Sequence, residues 1–538
     1  MRAFPAVGLV ALAVCITFGG VSSAASGGRA DAAVTTCAPT LPNQDMNGGG
    51  APPDTDNGDL VAGASGENHA AGAIHVFAGT PEGLNAGDTA STYEDQWISQ
   101  DTPGVAGGSE PNDRFGAAVV TGDFNGDRCA DAAVGVPGED GNAGAVNVFY
   151  GADNARLLVT TGNKMLLEGT ASIPGPRTVG ERFGSALAIG DLNDDGITDL
   201  AIAAPSDVES GVAAGAVFIV YGNTAGLNAG PTHAVRLAQS SPLIPGASEA
   251  SDRFGASLTV GDFAGDGIDD LAIGIPGENS SSGGVVVVPG SRGAALTGAG
   301  SRFWSQNTAG IVGAAEPNDG FGSALGAGAV TPDGRDDLVV GIPGENGSGG
   351  IAVLFGSSTG IGPVGNEFWS QNTAGVTGTA EDGDEFGATI AVGHLNAFAT
   401  AEDVVVGVPG DSVGGVTAAG AAQVFWGQPG GPSATGDAEE LLSQDTPTML
   451  GAAETGDKFG ASLAIVNLGG PDHAELLIGA PGETLKGVQH AGAFHYLLAG
   501  PNSDGILNAF WSAGTYEVKG PLEPDGAFGA ALNNPGRP

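Results

Sequence analysis

An all-β, seven-bladed β-propeller is the architecture predicted for this chain, on three observations. Phe-Gly recurs at Phe115, Phe183, Phe254, Phe321, Phe386, Phe459 and Phe528, in steps of 65 to 73 residues. Each Phe-Gly is followed by the same order of short apolar runs and Asp-rich loops. The 97 glycines fall at fixed places in that order and not in a low-complexity tract. A period this long means that each unit is one supersecondary element which cannot bury its own apolar face, so neighbours must stack. Four short strands per unit make one blade of a propeller.

The unit that opens at Phe254 shows the elements in order. A short alternating run follows Phe-Gly, then an Asp-rich loop, then Leu271–Ile275, then the run Val285–Val288. β-branching and length make these runs strands, and Leu271–Ile275 reads as a strand buried on both faces. The fourth strand precedes the next Phe-Gly, as in Arg302–Asn307 and Glu367–Asn372. Phe528-Gly529 is followed by only nine residues, whereas the first unit, with Gly-Ala-Ser at 63–65, has no Phe-Gly before it. The two chain ends are therefore expected to complete one blade, closing the ring between amino- and carboxy-terminal segments. Leu41–Gln44 competes for the same inner-strand place.

The second half of each unit carries Gly-Val-Pro at 135–137, Ala-Ala-Pro at 203–205, Gly-Ile-Pro at 274–276 and 341–343, Gly-Val-Pro at 407–409 and Gly-Ala-Pro at 479–481. This alternation resembles the FG-GAP repeat of the integrin α-subunit propeller, and the resemblance covers nearly all of the chain after its first residues. It implies seven blades, calcium in the Asp-rich loops, and a ligand face formed by the loops that follow the GAP proline.

Composition narrows the environment. Seventeen basic against 61 acidic residues give a net charge of −44, which argues against nucleic acid and anionic membrane surfaces as partners. Met1–Ala25 has Arg2, an apolar stretch and small residues at its end, and reads as a secretory signal peptide. Residues 26–36 form a short lead-in, and 37–538 the propeller domain. No later stretch has the length of a membrane span. The expectation is a secreted, extracellular monomer. With Cys15 inside the signal peptide, Cys37 and Cys129 remain, and a disulfide between them is preferred over two free thiols.

The strongest chemical signal is the loop Asp191-Leu-Asn193-Asp-Asp195-Gly196-Ile-Thr-Asp199. Oxygen side chains at positions 1, 3, 5 and 9, with glycine at 6 for the turn, suit a hard cation, and calcium is the expected occupant. The second blade repeats the pattern as Asp123, Asn125, Asp127 and Asp131. The fourth keeps Asp262, Asp266 and Asp270 but has Ala264 at position 3. The fifth, sixth and seventh loops decay and are expected to be empty. In the first blade, stretches starting at Asp45 and Asp54 match the spacing badly, and that site stays open. A single Asx-Gly loop is an ordinary turn; two full matches in register within a repeat favour calcium.

Two further acidic patterns recur. Acids stand five and two residues before Phe-Gly, as in Glu110/Asp113 and Glu316/Asp319, and another follows the GAP proline by two, as in Glu139 and Glu345. A docking surface for a cationic partner and a ring of turn-capping carboxylates are the alternatives, and turn capping is favoured. Longer excursions after the proline at Ser206–Ala214, Asp411–Ala419 and Thr484–Ala491 are where binding specificity would lie. Trp97, Trp304, Trp369, Trp426 and Trp511 fall at repeat positions, the histidines form no metal-ligand spacing, and no Gly-x-Ser-x-Gly or His-Glu-x-x-His motif is present. The reading is a non-catalytic, calcium-binding adhesion or binding module with an unidentified protein or glycan ligand. The alternative is an extracellular hydrolase or lyase acting on polysaccharide or phospholipid.

Overall fold

The structure, a computed structural model, describes Met46 and residues 59–535, apart from 81–82, 86–94, 152–157, 171–172, 210, 228–233, 396–400, 429–430, 432–438, 448, 469–473, 499–506 and 514–517. Seven antiparallel blades follow one another. Blade two is typical: Ala118–Gly122, Asp131–Val136, Ala145–Tyr150 and Val159–Leu166 pair in sequence order from the inside outward. Blades three to seven repeat this order. In blades two to seven the second strand, for example Asp270–Ile275 or Asp403–Val408, is buried at all six positions. It lies between two strands of its own sheet and between two neighbouring blades, so its composition is continuous and apolar.

Blade one is built from both chain ends. Its second, third and fourth strands are Leu60–Ala64, Ala73–Thr80 and Gln96–Ile98, and its inner strand is Ala531–Leu532, paired as Ala62↔Leu532 and Gly63↔Ala531. The inner place of blade one thus belongs to the carboxy-terminal segment; Leu41–Gln44 lies outside the described residues. The chain then crosses to blade two, where Asn534–Pro535 runs parallel to the inner strand as Asn534↔Val120. Asn533 fastens the crossing: its Nδ2 donates to Thr121 Oγ1 at 3.1 Å and its Oδ1 accepts from Val61 N–H at 3.2 Å.

The hydrophobic core is a ring of seven inter-blade clusters, and each contains one Phe of a Phe-Gly pair. Phe115 sits between blades one and two, Phe183 between two and three, and Phe254 between three and four. Phe528 sits with Leu60 and Phe77 of blade one against Phe494 of blade seven. All seven Phe side chains are fully buried, each contributing about 1.5–3 kcal/mol relative to exposure.

The dipeptide joins blades through its backbone as well. The Phe N–H donates to the preceding blade, as from Phe115 to Ala71 O at 2.8 Å and from Phe528 to Ala491 O at 3.1 Å. The Gly N–H donates within its own blade to the first residue of the GAP triplet, from Gly116 to Gly135 O at 3.1 Å and from Gly529 to Gly63 O at 3.0 Å. The Gly carbonyl lies against the GAP glycine of the preceding blade. A Cβ added to Gly135, Gly341 or Gly479 would stand 2.1, 2.1 and 2.3 Å from the carbonyl oxygens of Gly184, Gly387 and Gly529. Gly116 and its counterparts also have positive φ, +86° in Gly116, which favours glycine.

Two predictions follow from this geometry. Gly341→Ala should destabilise the protein by about 1–3 kcal/mol, because the obstructing atom is backbone of the next blade; Gly108→Ala, with nothing within 4 Å, should stay within about 0.5 kcal/mol. Denaturant melts compare the two. Removing residues 522–538 should lower the melting midpoint and produce aggregation in size-exclusion chromatography, since it takes the inner strand from blade one and exposes an unpaired edge.

Candidate functional site

The Asp-rich loops connect the first and second strands at one end of the blades. In blade three, Asp191 Oδ1 accepts from Asp195 N–H at 3.0 Å and Oδ2 from Gly196 N–H at 2.8 Å, while Asp195 Oδ1 accepts from Ile197 N–H at 3.0 Å. Blade two has the same turn. Asp123 accepts from Gly126 and Arg128 N–H at 2.7 and 2.8 Å, Asn125 Oδ1 from Asp127 N–H at 2.8 Å, and Asp127 Oδ1 from Cys129 N–H at 2.8 Å. Blade four keeps it without an oxygen at Ala264, Asp262 accepting from Gly265 and Gly267 N–H at 2.7 and 2.9 Å and Asp266 from Ile268 N–H at 3.1 Å.

Asn193 is the residue that fits a cation best. It is 9% exposed, and its Oδ1 is buried with no hydrogen-bond partner. Leaving such an oxygen unsatisfied costs about 1–3 kcal/mol, and a hard cation held with Asp191, Asp195 and Asp199 would satisfy it. Blade five shows a different outcome: Asp333 pairs with the guanidinium of Arg335 at 3.0 Å, so a side chain neutralises the acid left in that loop.

The ninth-position acids have a role that the cation pattern does not describe. Asp131 accepts from Phe124 and Gly151 N–H at 3.0 and 2.9 Å, and Asp199 from Leu192 and Gly222 N–H at 3.1 and 2.9 Å. The same staple, from the loop before the second strand to the loop after the third, persists where the other loop oxygens are lost. Asp337 accepts from Thr331 and Gly356 N–H at 2.7 and 2.9 Å, and Asp403 from Leu395 and Gly427 N–H at 2.8 and 2.6 Å. Asp59 does the same in blade one, toward Met46 and Gly79 N–H at 2.8 and 3.1 Å. The signal was present in the sequence as an acid at the head of every second-strand run.

Burial raises these carboxyls. It pushes Asp199 up to about 8, with the charges of Asp195 and Asp191 adding to the effect and the backbone N–H groups opposing it. Asp270 is pushed up to about 7 for the same reasons, and Asp131 well above the ordinary carboxylate range. Asp337, beside the Arg335-paired loop, reaches only about 6.

Turn capping accounts for much of the acidic pattern at the opposite end of the blades. Asp113, Asp252, Asp319, Asp384 and Asp457 each accept from the backbone N–H three residues earlier, at 2.5 to 2.7 Å. The acids after the GAP proline join neighbouring blades: Gln100, Gln239, Gln306 and Gln444 donate their amide N–H to Glu139, Glu278, Glu345 and Glu483 at 2.5 to 2.6 Å. Among the described residues, carboxylate oxygens gather within 4.8 Å of one another at Glu110, Glu139 and Asp140, and at Glu316, Asp319 and Glu345.

From this end the three excursions project. Within 206–214, Val208–Glu209 and Val212–Ala213 form a hairpin, and Arg236 of the outer strand holds it through Asp207 at 2.7 Å and Glu209 at 3.3 Å. The other two are closed by bridges Val413↔Val416 and Leu485↔Val488. Blades one, two, four and five have a single tight turn instead.

Several aromatic and histidine residues serve the framework, whereas His69, His394 and His490 are exposed. Trp304 and Trp369 are buried, His75 is buried against Glu67 at 3.3 Å, and His495 packs edge-on to Phe459 and Phe510. Cys129 is buried and disulfide-bonded; Cys37, its expected partner, and Asp45 and Asp54 of the first blade lie outside the described residues. Among the described residues no helix is long and apolar enough to cross a membrane.

Comparison with known proteins agrees with the repeat geometry. The FG-GAP repeat family matches residues 115–149, 183–220 and 254–288, the second, third and fourth blades from Phe-Gly to the third strand. Integrin alpha-PS2 of Drosophila melanogaster is 34% identical over 180 residues, covering 32% of this chain and 11% of that protein. Integrin alpha-4 of Xenopus laevis is 32% identical over 222 residues, 41% of this chain and 18% of its own length. Phosphatidylinositol-glycan-specific phospholipase D of Rattus norvegicus is 32% identical over 213 residues, 38% of this chain and 24% of that protein. The chain thus spans less than a quarter of the length of each of these relatives. The matched ranges run from Phe-Gly to the third strand of three blades, and the chain is an FG-GAP repeat protein whose repeats are similar to those of integrin α-subunits.

Proposed function

We propose that this chain is a secreted, calcium-binding FG-GAP propeller that acts as a non-catalytic binding or adhesion module. The observation that carries the binding role is the placement of the three excursions. They vary in length and sequence, project from one end of a framework that otherwise repeats, and are closed by their own backbone pairing. Loops of this kind on a rigid scaffold are where recognition resides. The signal-like composition of Met1–Ala25 supports export, and the disulfide at Cys129 supports an oxidising compartment.

Calcium supports the scaffold in this reading and takes no part in chemistry. Asp123, Asn125, Asp127 and Asp131 would hold one ion, Asp191, Asn193, Asp195 and Asp199 a second, and Asp262, Asp266 and Asp270 a weaker third. A bound divalent cation supplies the positive charge that lets Asp199 ionise despite its burial. The reading this would give way to is a phospholipid- or polysaccharide-cleaving enzyme, favoured by the likeness to phospholipase D. That likeness covers 24% of the relative, and the buried aromatic and histidine residues described above are committed to packing.

Four outcomes are expected. Millimolar calcium should raise the melting midpoint over that in chelator, by an amount set by roughly 2.7 kcal/mol per site at a hundredfold excess over Kd; an unchanged midpoint removes calcium from the reading. Asp195→Ala should reduce the calcium-dependent part of the stability more than Asp333→Ala does. Asp403→Ala should instead destabilise equally in calcium and in chelator, by about 1–3 kcal/mol for each N–H left buried. Shortening the three excursions to the turn of blade two should abolish capture of ligands from a panel of matrix proteins and glycans without changing the calcium-dependent melt. Turnover of glycosylphosphatidylinositol or polysaccharide substrates, lost on mutation of one carboxylate outside the loops, would establish the enzymatic reading.

A further inference from the structure

The junction of blades two and three departs from a recurring contact in a way that no other junction does: its outer-strand position is a third acid, where five junctions have glutamine and the junction of blades seven and one has Ala513. At four junctions a glutamine after the outer strand donates its amide N–H to the acid that follows the GAP proline of the next blade, as Gln100 does to Glu139 and Gln306 to Glu345, both at 2.6 Å. Between blades two and three the equivalent residue is Glu168, and the acid opposite is Asp207. Glu181, the counterpart of Asp113, faces the same space. The three carboxyls are 1%, 1% and 0% exposed.

Partners are already committed around them. Asp207 is held by Arg236, with Nη2 at 2.7 Å from Oδ1 and Nε at 3.1 Å from Oδ2, and the same guanidinium reaches Glu209 of the hairpin at 3.3 Å. Glu181 Oε2 accepts from Thr178 N–H at 2.7 Å. Both oxygens of Glu168 and Oε1 of Glu181 are buried with no hydrogen-bond partner. Gly175 packs directly on Glu168, leaving no room for a Cβ. An ionised glutamate has no hydrogen to replace the N–H of the glutamine found elsewhere. A protonated one has.

We propose that Glu168 carries a proton at neutral pH and donates it in a hydrogen bond to Glu181, so that the junction of blades two and three is a pH-sensitive latch at the root of the 208–213 hairpin. One O–H···O contact would engage two of the three unpaired oxygens and leave a single negative charge on the pair beside the Asp207–Arg236 ion pair. Losing the proton places a second negative charge in the same buried space, where the facing cation is Arg236, already shared by Asp207 and Glu209. Burial, then the charges of Asp207 and Glu181, push Glu168 up to about 9, with Arg236 opposing. A folded-state value above the unfolded one means that the unfolded chain releases its proton first as pH rises. Stability therefore falls from about pH 4.5 upward and levels off above about pH 9.

Melting curves of the parent, Glu168→Gln and Glu181→Gln between about pH 5 and pH 9.5, all in chelator, test this. The midpoint of Glu168→Gln should exceed that of the parent by a margin that grows with pH to a few degrees, because an amide donates to Glu181 at every pH. The infrared C=O band of a protonated carboxyl should be present in the parent at neutral pH and diminished in Glu168→Gln. If Glu168→Gln does not fold, a smaller band in Glu181→Gln than in the parent supports the proton on Glu168, and a band of undiminished intensity overturns it. Parallel pH profiles for parent and Glu168→Gln overturn the proposal. So does millimolar calcium that brings the parent's profile onto that of Glu168→Gln, which would place a metal ion where the proton is assigned.

Discussion

The close approach of a glycine carbonyl in one blade to a glycine α-carbon in the blade before it is the constraint on which the ring depends. Gly135 beneath the Gly184 carbonyl and Gly341 beneath that of Gly387 leave no space for a side chain. That absence lets adjacent inner edges approach closely enough for the intervening Phe to be enclosed on all sides. The Phe supplies apolar burial, its own N–H ties it backward, and the following glycine N–H ties it to its own blade. Two residues thus carry packing, inter-blade bonding and intra-blade bonding together, which is why they recur when most of the unit drifts.

Charge is organised on the same principle of joining neighbours. The chain carries many more acids than bases, yet a large share of the acids are spent on backbone N–H groups or on the next blade. Asp131, Asp337 and Asp403 staple loops to loops, and Glu139 and Glu345 receive glutamines across a junction. Burial raises the pKa of these carboxyls, and the neutral donors they accept from oppose that rise. The cation binding proposed at one end of the blades and the proton binding proposed at the blade two–three junction would answer the same electrostatic problem by different means.

The departures from the repeat are concentrated around blade three. It has the most complete oxygen loop, an excursion folded as a hairpin, and a glutamate where five other junctions have glutamine. Arg236 links two of these features through Asp207 and Glu209. One side chain therefore connects the junction to a loop on the proposed binding face.

The sequence by itself determined the blade count, the four-strand unit and the sharing of one blade between the chain ends, because these follow from the spacing of Phe-Gly and from apolar runs short enough to be strands. It also marked the oxygen loops of blades two, three and four. What only the tertiary structure decided lies between blades. The stapling role of Asp131, Asp199 and Asp270 was hidden because a ninth-position acid looks the same whether it faces a cation or the N–H groups of Gly151, Gly222 and Gly290. The glutamine-to-acid contacts join residues 39 positions apart, and Glu168 drew no notice in a chain with 61 acids. Period and composition are local properties of the chain, whereas the partner of a buried polar atom is set by which blade faces it.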